Sequence, residues 1–260
     1  MSPAWWKNAV LGLVQGITEF LPISSSGHLI ATKELLDGNA EPGLALDVAL
    51  HIATLAAVLI YFRKDLLGLA RIHNRVSFLL LVVIATIPGV ILGYLLSDWR
   101  ETINPWWVVG GWCFSGFYLI TSQGSGGDGR YRALPARFGF LIGVAQALAI
   151  FPGVSRSGSS IVAGLWLGLD RQEAFRFSFL LSIPLILGAG LNTARKLGDL
   201  SEIEKVGGIG PLLLGMAIAF VVGLGAIHLL SRSLRSNRFH LFGLYNFGAA
   251  ALFAFYLLLK

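Results

Sequence analysis

The sequence predicts an all-α polytopic membrane protein built as an inverted-topology repeat, with six transmembrane helices and two re-entrant helical hairpins. Three observations lead there. Of the 260 residues, 55% are hydrophobic and 13% charged, and mean hydropathy is +0.72, a balance that belongs to membrane proteins. Apolar runs long enough to cross roughly 30 Å of hydrocarbon recur along the chain. A stretch studded with polar residues, LGLVQGITEFLPISSSGHLI (11–30), returns 131 residues later without a gap as IGVAQALAIFPGVSRSGSSI (142–161).

Taken in order, the first repeated segment covers two short helices, about 8–20 and 24–36, separated at Pro22. Proline removes a backbone donor and clashes with the preceding turn, so a helix, a non-helical turn and a second helix are expected. Broken backbone at membrane depth is tolerated only where protein or a wet cavity surrounds it. Three full spans follow, about 44–62, 77–97 and 105–122. The second broken segment covers about 138–151 and 158–169, interrupted at Pro152-Gly153, and three more spans follow at about 174–194, 211–230 and 239–259.

Loop charge sets the orientation. Arg63, Lys64, Arg71 and Arg75 follow the first span, Arg130, Arg132 and Arg137 the third, and Arg232, Arg235 and Arg238 the fifth. By the positive-inside rule these loops are cytoplasmic. The alternate loops carry Asp98, Arg100 and Glu101, then Arg195, Lys196, Asp199, Glu202, Glu204 and Lys205, and fall outside. The alternation holds only if the broken segments enter and leave on one side as re-entrant hairpins, about 8–36 and 138–169. Each half, 1–130 and 131–260, then makes an odd number of crossings, so the second half is upside down relative to the first. The halves divide near the loop Gly124–Arg130, read as a flexible linker. Late in each half the match needs a shifted register, with Phe117-Tyr118-Leu119 answering Phe255-Tyr256-Leu257.

The net charge of +6 does not point to nucleic acid, because the basic residues form short clusters between apolar runs and no stripe interleaved with aromatics. The single Cys113 excludes a disulfide framework and a cysteine metal site. The N-terminus lacks a charged n-region and a cleavage site, so it is expected to remain. Trp5, Trp6, Trp99, Trp106 and Trp107 stand at span ends, as an aromatic belt requires.

Ionisable groups inside a membrane are expensive and mark function. Gln15 and Glu19 share a helix face at i, i+4, a carboxylate placed to hold a metal ion or steer a base. Ser24, Ser25, Ser26, Gly27 and His28 follow at the turn, where serines also serve as helix caps. A hydroxyl near an imidazole, with a carboxylate at hand, meets the needs of an activated nucleophile or an activated water. In the second hairpin, Gly153 and Gly158 let backbone N–H groups approach an anion, Ser155, Ser157 and Ser160 offer hydroxyls, and Arg156 supplies a fixed positive fork for phosphate oxygens. Between the copies, Glu19 faces Ile150, Ser25 faces Arg156 and His28 faces Ser159. The reactive types occur once, while glycines and scaffold serines occur twice. Asp47 and His51 share a face and either extend the site or pair between helices. Glu173 and Arg176 read as an interfacial ion pair.

VQGITEFLPISSSGH (14–28), FPGVSRSGSS (151–160) and FSFLLSIP (177–184) together resemble the undecaprenyl-diphosphate phosphatase family, also called bacitracin-resistance proteins, over essentially the whole chain. The resemblance implies a bacterial inner-membrane enzyme that hydrolyses the C55 lipid diphosphate to the monophosphate, depends on a divalent cation and opens its active site to the periplasm. By position, Glu19, Ser25, His28 and Arg156 match the catalytic set. Gln15 stands at the first acidic position as its non-ionisable variant, and Ser160 replaces the usual threonine.

The expected enzyme binds the diphosphate on Arg156 with Ser155, Ser157, Ser160 and the hairpin amides. Ser24, Ser26, Gly27, Gly153 and Gly158 line the same pocket. Glu19, helped by Gln15, holds Mg2+ or Ca2+ or orients His28. Ser25 attacks or positions water, with His28 as base. A polyprenyl diphosphate lipid and the bilayer are the expected partners, with no nucleic acid, and a homo-oligomer stays open. A lipid transporter or flippase with the same pocket is the competing class, since inverted repeats with broken helices are a transporter plan; it would need no nucleophile and base together. A purely structural membrane protein leaves the single-copy reactive residues without a role.

Overall fold

The structure is a computed structural model and describes residues 3–37, 44–69, 75–96, 104–196 and 201–260. Among these the regular elements are all helices, apart from one isolated β-bridge between Gly129 and Leu169. Helices α1 (Pro3–Thr18) and α2 (Ser25–Asp37) form the first broken segment; α3 (Leu44–Tyr61), α4 (Arg63–Leu69), α5 (Arg75–Leu95) and α6 (Trp106–Thr121) follow. Helices α7 (Ala136–Ala147) and α8 (Arg156–Trp166) form the second broken segment, followed by α9 (Arg171–Lys196), α10 (Ser201–Lys205), α11 (Ile209–Arg235) and α12 (Leu241–Leu259).

The two breaks fall at the expected prolines and are built alike. Helix α1 stops short of Pro22, and α7 passes through one 3-10 turn, Leu148–Ile150, before Pro152. Each second half-helix is then capped by a serine. Ser155 Oγ accepts the N–H of Gly158 at 3.1 Å, and Ser24 Oγ accepts that of Gly27 at 3.4 Å. These hydroxyls satisfy a donor that a helix N-terminus leaves open. The turns differ in where they bend: the left-handed residue is Gly153 (φ 89°) in one and Ser24 (φ 68°) in the other, where a side chain is rarely accommodated.

The broken segments lie against helices from far along the chain. Helix α1 packs along α11 and α7 along α5, while α6 meets α12 and α3 meets both α9 and α11. Glycine sets the closeness of the first two crossings. A Cβ at Gly12 would stand 2.3 Å from the carbonyl oxygen of Gly215, and one at Gly143 would stand 2.2 Å from that of Ala85. These two positions are 131 residues apart, so the repeat that shows in the sequence is also a repeat of packing. Beside the first break, Phe20, Phe62, Phe175 and Phe179 form a buried aromatic cluster, with Phe20 and Phe179 centroids 5.7 Å apart and Phe62 and Phe179 5.3 Å apart. This makes an apolar wall beside Glu19.

The outward faces are apolar too. Leu79, Leu80, Val90 and Ile91 on α5 and Leu252, Phe255 and Leu258 on α12 are exposed, which fits a lipid environment. Among the described residues three helices are long and apolar enough to cross a bilayer, Val76–Leu95, Ile209–Arg235 and Leu241–Leu259; α3 and α4, bent by 68° at their junction, meet that length and composition only when taken together. The chain is therefore a multi-pass helical membrane protein.

Some expectations change. Arg63 and Lys64 lie in α4, not in an open loop. The Gly124–Arg130 segment is tied down at 3.1 Å by Gly127 N–H on Leu169 C=O and Gly129 N–H on Gly168 C=O, and at 2.9 Å by Asp170 N–H on Gly129 C=O. It is a docked strap, because glycines let backbone pair with backbone. Arg176 pairs with Glu173 at 3.4 Å as expected, and also with Asp65 at 3.8 Å. Arg71, Asp98, Trp99, Arg100, Glu101 and Asp199 lie outside the described residues.

The crossings predict a contrast between glycines. Gly143→Ala forces backbone apart and should destabilise by about 1–3 kcal/mol, as overpacking does. Gly225→Ala in α11, where an added Cβ meets nothing within 4 Å, should be neutral or stabilise by about 0.5–1 kcal/mol. Unfolding of the detergent-purified proteins measures both.

Candidate active site

The two breaks meet at one ion pair. Arg156 Nη2 donates to Glu19 Oε1 at 2.8 Å, with the two side chains 12% and 7% exposed. Position alone makes this pair. Glu19 follows the last turn of α1, and Arg156 opens α8 directly after its serine cap.

Glu19 has two further donors. Ser25 Oγ donates to Oε2 at 2.6 Å, and Gln15 Nε2 donates to the same oxygen at 3.1 Å. Since the carboxylate only accepts, the Gln15 amide is fixed with its nitrogen toward Glu19. Its Oε1 is then buried with no hydrogen-bond partner, and so is Nη1 of Arg156. Buried polar atoms left unpaired cost free energy and call for an explanation. An arginine with one nitrogen spent on a carboxylate and the other unspent is a half-used fork suited to an anionic oxygen.

His28 stands apart from this cluster. Its Nδ1 is 2.8 Å from the carbonyl of Ser24, which only accepts, so in the neutral ring Nδ1 carries the hydrogen. Nε2 then accepts from the hydroxyl of Tyr245 at 2.8 Å. The ring stacks on Tyr245, with centroids 5.7 Å apart, and meets the edge of Trp112 at 4.8 Å. Glu19 therefore does not orient His28, and the proton acceptor beside Ser25 is Glu19. The left-handed turn at Ser24 aims that residue's carbonyl at the imidazole.

The remaining serines are occupied within the protein. Ser24 and Ser26 hydroxyls are 3.2 Å apart, as are those of Ser155 and Ser157. Ser157 Oγ also reaches the Leu21 carbonyl at 3.4 Å, joining the two breaks. Ser160 Oγ donates to the Arg156 carbonyl at 2.8 Å and lies 2.6 Å from Ser178 Oγ. Gly27 packs against Gly153, where a Cβ would stand 3.1 Å from the Gly153 Cα. These residues hold the two turns together around the Glu19–Arg156 pair. Asp47 forms an ion pair with Lys33 at 2.9 Å, the interhelical role open to it.

Several residues outside the set the sequence points to also hold the site. Trp112 Nε1 donates to the Ile23 carbonyl at 2.8 Å. Ser115 Oγ donates to the Gly153 carbonyl at 3.0 Å, and Tyr118 Oη to that of Ser155 at 3.0 Å. Asn246 Nδ2 donates to the Pro22 carbonyl at 3.0 Å. Helix α6 thus holds both turns, the first through Trp112 and the second through Ser115 and Tyr118, and α12 joins it at the first through Asn246. A signal existed for Asn246, a polar side chain inside an apolar span.

The donors also bear on a metal. Among the described residues no three His, Cys, Asp or Glu side chains gather. Glu19 and the unpaired Gln15 Oε1 are oxygen donors that suit Mg2+ or Ca2+ when substrate phosphates and water complete the shell.

The pair predicts strong coupling. Arg156→Met alone leaves a buried carboxylate uncompensated and should cost about 3–5 kcal/mol of stability. Adding Glu19→Gln should recover most of it, as a double-mutant cycle by denaturant unfolding would report; simple additivity would mean the two do not interact.

Residues 8–252 match the family described as Bacitracin resistance protein BacA. The chain is 41% identical to an undecaprenyl-diphosphatase of Desulfosudis oleivorans, covering 93% of this chain and 94% of that protein. It is likewise 41% identical to the undecaprenyl-diphosphatase of Rubrobacter xylanophilus, with 96% and 97% covered. With that of Alcanivorax borkumensis it shares 44% identity, over 84% and 85%.

Proposed function

We propose, because this chain belongs to the bacitracin resistance protein BacA family, that it hydrolyses undecaprenyl diphosphate to undecaprenyl phosphate and phosphate. It thereby recycles the lipid carrier of cell-wall synthesis and confers bacitracin resistance. The observation that carries the reading is the buried Glu19–Arg156 pair, with a serine hydroxyl on the carboxylate and an unspent guanidinium nitrogen beside it.

Phosphoryl transfer needs chiefly positioning and neutralisation of charge. Arg156 Nη1 binds a non-bridging oxygen of the terminal phosphate while Nη2 keeps Glu19 in place. Ser25 Oγ attacks the terminal phosphorus, its proton passes to Glu19 Oε2, and the bond from phosphorus to the bridging oxygen breaks to release the prenyl monophosphate. Water then attacks the phosphorus of the phosphoserine, giving its proton to His28 Nε2 once Tyr245 has given up its hydrogen bond; the bond from phosphorus to Ser25 Oγ breaks, Oγ takes back the proton held by Glu19, and phosphate leaves. Glu19 and Gln15 would hold a divalent cation, Mg2+ or Ca2+, whose contribution is to neutralise diphosphate charge. The hydroxyls of Ser155, Ser157 and Ser160, with Ser24, Ser26 and the glycines Gly27, Gly153 and Gly158, act by fixing the turns that present these groups.

The architecture we infer is the inverted repeat, 1–130 against 131–260, with six spans and two re-entrant hairpins, α1–α2 and α7–α8. Matching serine caps and matching glycine crossings 131 residues apart support it. The basic residues near the ends of α3, α6 and α11 support a multi-pass placement in the bacterial inner membrane, with the site opening toward the periplasm. The lipid tail then lies against the apolar outer faces.

Phosphate release from a prenyl diphosphate by the detergent-purified protein is the test. Release should be lost with EDTA, and should fall by about two orders of magnitude or more in Ser25→Ala and Arg156→Ala, since each removes a group that acts on the transferring phosphoryl. Tyr245→Phe should keep activity within a few-fold, because the hydroxyl only parks His28. No release from folded wild type with any divalent ion would refute the reading.

A further inference from the structure

A buried amide outside the assigned set has no work in the protein. Gln146, near the end of α7, is 1% exposed, and both its Nε2 and its Oε1 lack any hydrogen-bond partner. A fully buried side-chain amide with neither end paired is rare, since desolvation without a partner is costly.

The repeat explains where this side chain stands. Gln146 is the counterpart of Gln15, three residues beyond Gly143 as Gln15 is beyond Gly12, and nine residues ahead of a capping serine in both copies. Those two glycines make the same backbone crossing, against Ala85 and Gly215 respectively. The two glutamines therefore occupy the same face of equivalent half-helices. Gln15 uses that face to reach Glu19, four residues on, at 3.1 Å. Gln146 finds Ile150 at the corresponding position, which offers nothing to an amide. The residue aligned with Ser25 is Arg156, whose Nη1 is likewise buried and unpaired. The second hairpin thus presents two unsatisfied groups, both able to donate, flanking one break.

We propose that Gln146 is a substrate-binding residue that donates its amide N–H to a non-bridging oxygen of the lipid diphosphate, next to the oxygen taken by Arg156. This rests on the diphosphate reading above and assigns Gln146 to the same pocket. A neutral donor at this place also accounts for the asymmetry between copies. The first hairpin spends its glutamine on the carboxylate, whereas the second keeps its own for the anion. The amide oxygen is left to accept from water that enters with the substrate.

Gln146→Met tests this, because methionine nearly matches the shape and removes the unpaired polar atoms. Affinity is measured for farnesyl methylenediphosphonate, a non-hydrolysable prenyl diphosphate, and the melting temperature without ligand is measured beside it. The expected result is a higher melting temperature together with an affinity lower by on the order of ten- to a hundredfold, the loss of a hydrogen bond to a charged group. Unchanged affinity in folded Gln146→Met, with wild type binding normally, would overturn the proposal. Gln146→Glu, which keeps the shape and repels an anion, decides the matter if Gln146→Met does not fold: weaker binding supports the assignment, and wild-type binding refutes it. Failure of the wild-type protein itself to bind would instead overturn the diphosphate reading, and this assignment with it.

Discussion

Everything at the centre of this molecule depends on one charge pair, between residues 137 apart in sequence, made across two turns. A carboxylate and a guanidinium in an apolar surround are tolerable only together, since either alone would bear an unrelieved desolvation cost. The pair thereby locks one hairpin to the other. It also leaves the guanidinium half used, with Nη1 buried and unpaired, and the proposed binding of the diphosphate rests on that nitrogen. Ser25 and Gln15 complete the carboxylate, so Glu19 is held by three donors from two hairpins.

The repeat supplies the frame in which that pair is exact enough to matter. Serine caps, paired hydroxyls and glycine crossings occur twice, and they fix where the first residues of α2 and α8 stand. What is placed on the frame differs between copies, Ser25 on one and Arg156 on the other. Around it, α6 and α12 hold the opposing turns through Ser115 and Asn246. The serines expected to grip phosphate are mostly engaged in this framework. Backbone breaks inside a membrane need such internal partners, because lipid offers none.

Much of this was legible in the sequence. The breaks at Pro22 and Pro152 and the helices around them follow from residue chemistry and an ungapped repeat, as does the placing of Glu19, Ser25 and Arg156 at those breaks. The helix bounds of α5, α6 and α12 follow from apolar run length, while α11 runs on to Arg235, past the end of its apolar run. What was not legible are contacts between distant segments. Tyr245 reaches His28 across 217 residues and Asn246 reaches Pro22 across 224, and no periodicity encodes such a meeting. The same limit hid the partner of Glu19: the sequence offers a metal, a base or an imidazole, and only the fold shows that the arginine takes it. The Gly124–Arg130 segment misled for a local reason, since glycine richness permits flexibility but also permits close backbone docking.

The most direct measurement is an experimental structure of the protein with farnesyl methylenediphosphonate bound. The account predicts the diphosphonate between the two breaks, with a terminal oxygen on Arg156 and the terminal phosphorus in line with Ser25 Oγ. A diphosphonate bound away from the Glu19–Arg156 pair, with that pair unchanged, would contradict it.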